Sequence, residues 1–100
     1  MAQAPQIADI QRTVADLGKQ YGAERIFLFG SFARGDAAAD SDIDLRIDKG
    51  KIRGLFALFG LHLALEERLG RKVDLLTSDS LDAEFLDRIK SEEVLLYAHE

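Results

Sequence analysis

A chain of 100 residues allows one domain, and a 47% hydrophobic share is enough to build a core. Its 13 basic against 18 acidic residues, a formal net charge of −5, argue against sequence-independent binding along a nucleic-acid backbone, although a single triphosphate can still be neutralised locally. With no cysteine there is no disulfide, zinc–thiolate site or thiol nucleophile.

Met1 to Ile10 has neither the basic start nor the apolar core of a signal peptide. The longest apolar stretch, Leu55 to Leu65, falls well short of the ~18 residues of a membrane span. The expectation is a soluble, cytoplasmic protein with no membrane contact.

In chain order, Pro5 stands where a helix can start, since its missing N–H is not needed there. Ile7, Ile10, Val14 and Leu17 follow at helical spacing, and Gly22 supplies a stop. Arg25 to Phe29 reads as a short buried strand ending at Gly30. Ser31 to Arg34 reads as one helical turn, followed by a polar loop from Gly35 to Ser41. Asp42 to Ile47 alternates charged and apolar residues, the mark of a strand with one buried and one charged face. Leu55 to Leu69 is a helix between Gly54 and Gly70. Lys72 to Leu76 is a third strand with a charge in its middle. Ser80 can cap a helix from Leu81 to Lys90, with Asp82 and Glu84 in its first turn. Val94 to Tyr97 is a short last strand. The order predicts an α/β (α+β) fold, a mixed sheet of about four strands with helices packed on it, as one domain over residues 1–100.

Three features carry chemistry. Gly30-Ser31 follows a strand and opens a helical turn. There the backbone can approach a ligand closely, and the free N–H groups favour an anion such as phosphate. Taken alone, the pair is also an ordinary turn with a cap. The second feature is Asp42-x-Asp44. Residues two apart on a strand share a face, so both carboxylates converge and repel unless a cation lies between them. Magnesium, with its hard oxygen ligands, suits such a pair, while a solvated strand face is the plainer reading. The third is Asp74 inside an apolar strand. It joins the same site if its strand pairs beside the Asp42–Asp44 strand. Otherwise it is satisfied by an ion pair with Arg71, Lys72 or Arg46.

Taken together, Leu28-Phe29-Gly30-Ser31-Phe32-Ala33-Arg34-Gly35 and Asp40-Ser41-Asp42-Ile43-Asp44-Leu45 resemble the signature of the DNA polymerase β-like nucleotidyltransferase superfamily. That signature is a Gly-Ser pair, a gap of about ten residues, then Asp-x-Asp. The LGRKVDLL segment and the VLLY ending are similar to the minimal, single-domain branch. Members of that branch are often antitoxins paired with a helical HEPN ribonuclease toxin. The resemblance implies the polymerase β-like fold, with Gly30, Ser31 and Arg34 holding the triphosphate of ATP. It implies Asp42, Asp44 and Asp74 as catalytic ligands of two Mg²⁺ ions, Asp74 completing the second metal site or taking the proton. Arg34 has a competing role as a surface ion pair with Asp36 or Asp40.

The resemblance further implies transfer of AMP to a tyrosine of the cognate toxin. The base and the acceptor rest on the resemblance alone. The alternative is a non-catalytic antitoxin or nucleotide-binding module that silences its partner by covering it. Addition of nucleotides to an RNA end fits least, given the acidic balance. The Leu55 to Leu65 helix is apolar nearly all round. It is either core, with Gly60 allowing a close helix contact, or the interface of a homo-oligomer or of a toxin complex. His62 reads as a packed or rim residue, and His99 as exposed.

Overall fold

Helix α1 (Ile7–Tyr21) forms because Ile10, Val14 and Leu17 recur on one face and are all buried. Gly22 ends it with a left-handed φ of 84°, its N–H bonded to the Gly18 carbonyl. These features belong to a computed structural model that describes residues 5–100. The first four residues of the stretch read for a signal peptide lie outside the described residues. Pro5 precedes the N-cap Gln6 and so stands just outside the helix, not at its first position.

Four strands follow: β1 (Arg25–Phe29), β2 (Ile43–Asp48), β3 (Val73–Thr77) and β4 (Val94–Ala98). They form one sheet in the order β3-β2-β1-β4. β1 runs antiparallel to β2 and β4, and β2 runs parallel to β3. The mixed sheet predicted from the element order is therefore present. The parallel pair is joined through helix α3 (Gly54–Leu69), since a parallel connection needs a crossover.

α1 and α3 pack on each other and on one sheet face, where Ile26, Leu28, Ile43, Leu45, Ile47, Val73 and Leu96 are buried. The other face carries Phe27, Phe29, Asp44, Arg46 and Asp74. Helix α4 (Ala83–Lys90) meets that face through Phe85, edge-on to Phe29 at 6.0 Å between ring centroids.

Several boundaries differ from expectation by one or two residues. β2 and β3 each begin one residue later, because their pairing starts with the Ile43 N–H donating to the Lys72 carbonyl. Asp42 thus precedes β2. Asp82, not Ser80, caps α4 by accepting the Phe85 N–H at 2.7 Å. Ser80 ends a short 3₁₀ turn (Ser78–Ser80), where its hydroxyl donates to the Thr77 carbonyl.

Arg46 is the other surprise. It is only 8% exposed on a face expected to be solvated. Its guanidinium lies 3.9 Å from the Phe27 ring centre and donates to both Glu93 carboxylate oxygens and to Ser78 Oγ. A charge in such a place is tolerated because it is paired and bonded.

Helix α3 has two sides. Leu61 and Leu65 are core, and Gly60 lies close to Tyr21 of α1. Leu55, Phe56, Phe59 and Leu63 are exposed, Phe56 at 94%. The core reading holds for Leu61 and Leu65, and the other side of the helix is left exposed.

Candidate active site

The parallel register sets Asp44 beside Asp74, and the antiparallel one sets Asp44 opposite Phe29. Lateral neighbours in a sheet project to the same face, so the row Asp74–Asp44–Phe29 lies on the face that α1 and α3 leave uncovered. Sequence alone made this adjacency conditional on strand order, and the order β3-β2-β1 supplies it.

Asp44 is the electrostatic centre. Burial, then the adjoining Asp74 carboxylate, then Asp42, push its carboxyl up to about 6, against a smaller opposing pull from Arg34. The ion pairs that offered Asp74 a structural role do not form among the described residues. Arg46 is engaged with Glu93, the Arg71 guanidinium donates to the Ser41 carbonyl, and the Lys72 ammonium lies 3.8 Å from Asp42.

Gly30 follows β1 directly and caps helix α2 (Ser31–Arg34) with φ 77° and ψ −155°. A side chain is strained in that conformation, and a Cβ there would also run into the Asp44 carboxylate. The close approach read from the sequence is thus made to a site carboxylate within the chain. Ser31 is the first residue of α2, whose opening N–H groups have no helical acceptor. Arg34, in the last position of α2, is exposed and bridges two carboxylates: Nε to Asp36 at 3.2 Å and Nη1 to Glu92 at 3.0 Å. The Asp36 pair is the competing role foreseen for it. Asp36 and Glu92 hold the guanidinium above its usual range. Asp40 is not among its partners.

Asp44, its proton affinity raised by burial and by the neighbouring Asp74 and Asp42, forms with them the hard-oxygen donor set that a divalent ion of magnesium's kind satisfies. The chemistry of the donors fits. Among the described residues, however, no three acidic or histidine side chains already stand in one ligand sphere. The convergence expected of Asp42 and Asp44 is a shared end of the sheet, with Asp42 outside β2 and near Lys72.

Sequence reading missed several supporting groups. Glu92, just before β4, accepts the Gly30 N–H at 2.8 Å as well as the Arg34 bond. His62 and Glu66 of α3 hold β3 next to Asp74: His62 Nε2 contacts the Val73 carbonyl at 2.6 Å, and Glu66 accepts the Val73 N–H at 2.9 Å. Reading His62 as a packed or rim residue holds, with this bond as its purpose. The only hint to Glu92 and Glu93 was an acidic pair at a strand start, a pattern too common to interpret.

Residues 12–100 match the family described as Polymerase beta, Nucleotidyltransferase. A Methanocaldococcus jannaschii protein provisionally named a protein adenylyltransferase is 38% identical over 88 residues, covering 88% of this chain and 95% of its own. A solved structure provisionally described as a minimal nucleotidyltransferase superposes with a TM-score of 0.75 at 36% identity, covering 84% of this chain and 86% of its own. A Shewanella oneidensis complex of a tri-AMPylated HEPN toxin with its MNT antitoxin shares the fold. Its TM-score is 0.68 at 20% identity, covering 90% of this chain and 71% of that one. Among the described residues no helix is long and apolar enough to cross a membrane.

Proposed function

Because the chain belongs to the polymerase β nucleotidyltransferase family, we propose that it moves AMP from ATP onto a tyrosine hydroxyl of a HEPN ribonuclease toxin, and so acts as that toxin's antitoxin. The observation that carries the catalytic reading is the Asp74–Asp44 pair on one sheet face with Gly30 flush against it. A protein acceptor is supported by the name of the Methanocaldococcus relative. A HEPN toxin is supported by the Shewanella complex, whose toxin carries the AMP groups.

The residues divide the work. Gly30 and Ser31 open α2 towards the triphosphate, with Arg34 as a further phosphate contact. Asp42, Asp44 and Asp74 would hold two Mg²⁺ ions, which would supply charge neutralisation for the triphosphate and a lowered pKa for the attacking hydroxyl. The tyrosine oxygen bonds to the α-phosphorus as the bond to pyrophosphate breaks, and Asp74 either completes the second metal site or takes the departing proton. Most of the rate comes from positioning and charge neutralisation, as in phosphoryl transfer generally.

The exposed Leu55, Phe56, Phe59 and Leu63 of α3 form an apolar strip for the toxin. Dependence on ATP and a ribonuclease partner supports a cytoplasmic site of action.

Intact-mass spectrometry of a co-expressed HEPN toxin tests the proposal. The expected result is a mass gain of one or more AMP units with the wild-type chain. The Asp42→Asn, Asp44→Asn double variant should give none. A toxin that stays unmodified yet bound and silent with both chains overturns catalysis in favour of neutralisation by covering.

A further inference from the structure

Among the described residues, Glu92 is the acidic side chain that hydrogen-bonds to both parts of the nucleotide side of the site. Its Oε2 accepts from the Gly30 N–H at 2.8 Å and from Arg34 Nη1 at 3.0 Å. It sits at the junction between α4 and β4 and reaches 62 residues back along the chain to do so.

The register explains why a side chain is needed there. β1 and β4 pair Leu28 with Val94, and continuing the antiparallel count brings Gly30 level with Glu92. The ladder has ended by then, because Gly30 turns away at φ 77° to open α2. Its N–H still points to the β4 side, where a part-buried donor must find an acceptor. The Glu92 carboxylate takes the place of the missing backbone carbonyl.

The same oxygen takes one N–H of Arg34, while Asp36 takes Nε. A guanidinium has five N–H donors in a rigid fork. Two of them are engaged in setting its orientation, and the remainder stay available to an anion. The bonded Gly30 N–H lies on the flank towards β4, while Asp44 lies on the opposite flank, on β2. The carboxylate therefore braces the turn from outside.

We propose that Glu92 is a positioning residue for the nucleotide: it fixes the Gly30 turn and the Arg34 fork so that the unengaged N–H groups of the guanidinium meet the triphosphate without reorganising. This rests on the nucleotidyltransferase reading above. The role is one of preorganisation, in which a second layer of bonds locks the groups that touch ligand.

The test uses the full chain with magnesium and a non-hydrolysable ATP analogue bridged by methylene between the α- and β-phosphates. Binding is followed by calorimetry, and Gly30 amide exchange by NMR. Glu92→Ala is expected to weaken the analogue about fivefold to tenfold, the range of a partly exposed charge-assisted bond. It should also speed exchange of the Gly30 amide. Glu92→Gln keeps an oxygen for the Gly30 N–H and should restore slow exchange and part of the affinity. In transfer assays KM for ATP rises while kcat at saturating ATP stays within about twofold, the pattern of lost uniform binding.

Unchanged affinity in both variants, with the amide exposed in Glu92→Ala, overturns the proposal. Tighter binding in Glu92→Ala also overturns it, because Glu92 would then be competing with the phosphates. If the wild-type chain itself fails to bind the analogue, the nucleotidyltransferase reading falls and takes this role with it.

Discussion

Replacing Asp44 by asparagine should make the metal-free protein more stable while removing its activity. The side chain is partly buried between two other carboxylates, and its carboxyl is raised from 3.8 to about 6. A carboxyl with a raised folded-state pKa favours folding while it is protonated. That advantage is complete below the unfolded pKa and is lost as the pH rises through about 6. Above that point the charge burdens the folded state. The full shift corresponds to about 3 kcal/mol, and solvent screening at this half-open face reduces the working figure to about 1–2 kcal/mol. The asparagine side chain has nearly the same shape, carries no charge and can donate to Asp74. At pH 8 without divalent metal, the variant should melt roughly 5–10 °C above the wild type. The difference should shrink towards zero at pH 4. Added magnesium should raise the wild-type melting temperature and leave the variant's unchanged, because binding to the folded state alone stabilises it. Thermal unfolding by circular dichroism at both pH values, with and without metal, is sufficient. A variant that melts at or below wild type at pH 8, or an offset that persists at pH 4, would refute the electrostatic account of the site.

The other predictions probe different parts of the molecule. A proton competes with a cation for Asp44, so magnesium-dependent transfer should fall as the pH drops through about 6. Initial rates that stay flat down to pH 5 would contradict this. Gly30→Ala meets a left-handed φ and the Asp44 carboxylate together. It should cost about 2–4 kcal/mol by urea unfolding and abolish transfer. Glu93→Ala leaves the buried Arg46 with only Ser78 and Asp48. The expected loss is about 2–3 kcal/mol, and a change under 1 kcal/mol would mean that solvent reaches the pair. Phe56→Ser with Phe59→Ser removes exposed apolar surface only. Co-purification with a HEPN toxin should be lost at an unchanged melting temperature, and an intact complex would move the docking surface elsewhere.

Much of this architecture is local, and the local parts were legible. The period of Ile10, Val14 and Leu17, the stop at Gly22, the strand Arg25–Phe29 and the turn Ser31–Arg34 were each readable from neighbouring residues. Gly30, Ser31, Asp42 and Asp44 stood out as a group through the family signature they resemble. What escaped depends on partners distant in sequence. The start of β2 is set by a bond to Lys72, which no window around Asp42 contains. Arg46 alternates with apolar residues as a solvent-facing side chain would, yet Glu93 and Phe27 enclose it. Ser80 and Asp82 are both good caps, and the 3₁₀ turn decides between them. Glu92 reaches Gly30 only because β4 lies beside β1.

The bonds from His62 and Glu66 to Val73 have a consequence beyond holding Asp74 in place. β3 is an outer strand of the sheet, and an outer strand offers unpaired backbone groups on which another chain can build. At Val73 both groups are already taken by side chains of α3. A second molecule finds no free donor or acceptor at that point, so strand-to-strand growth is blocked next to the acidic centre. Asp74 can therefore stand on the outer strand beside Asp44 without its backbone neighbour Val73 becoming a seam for self-association.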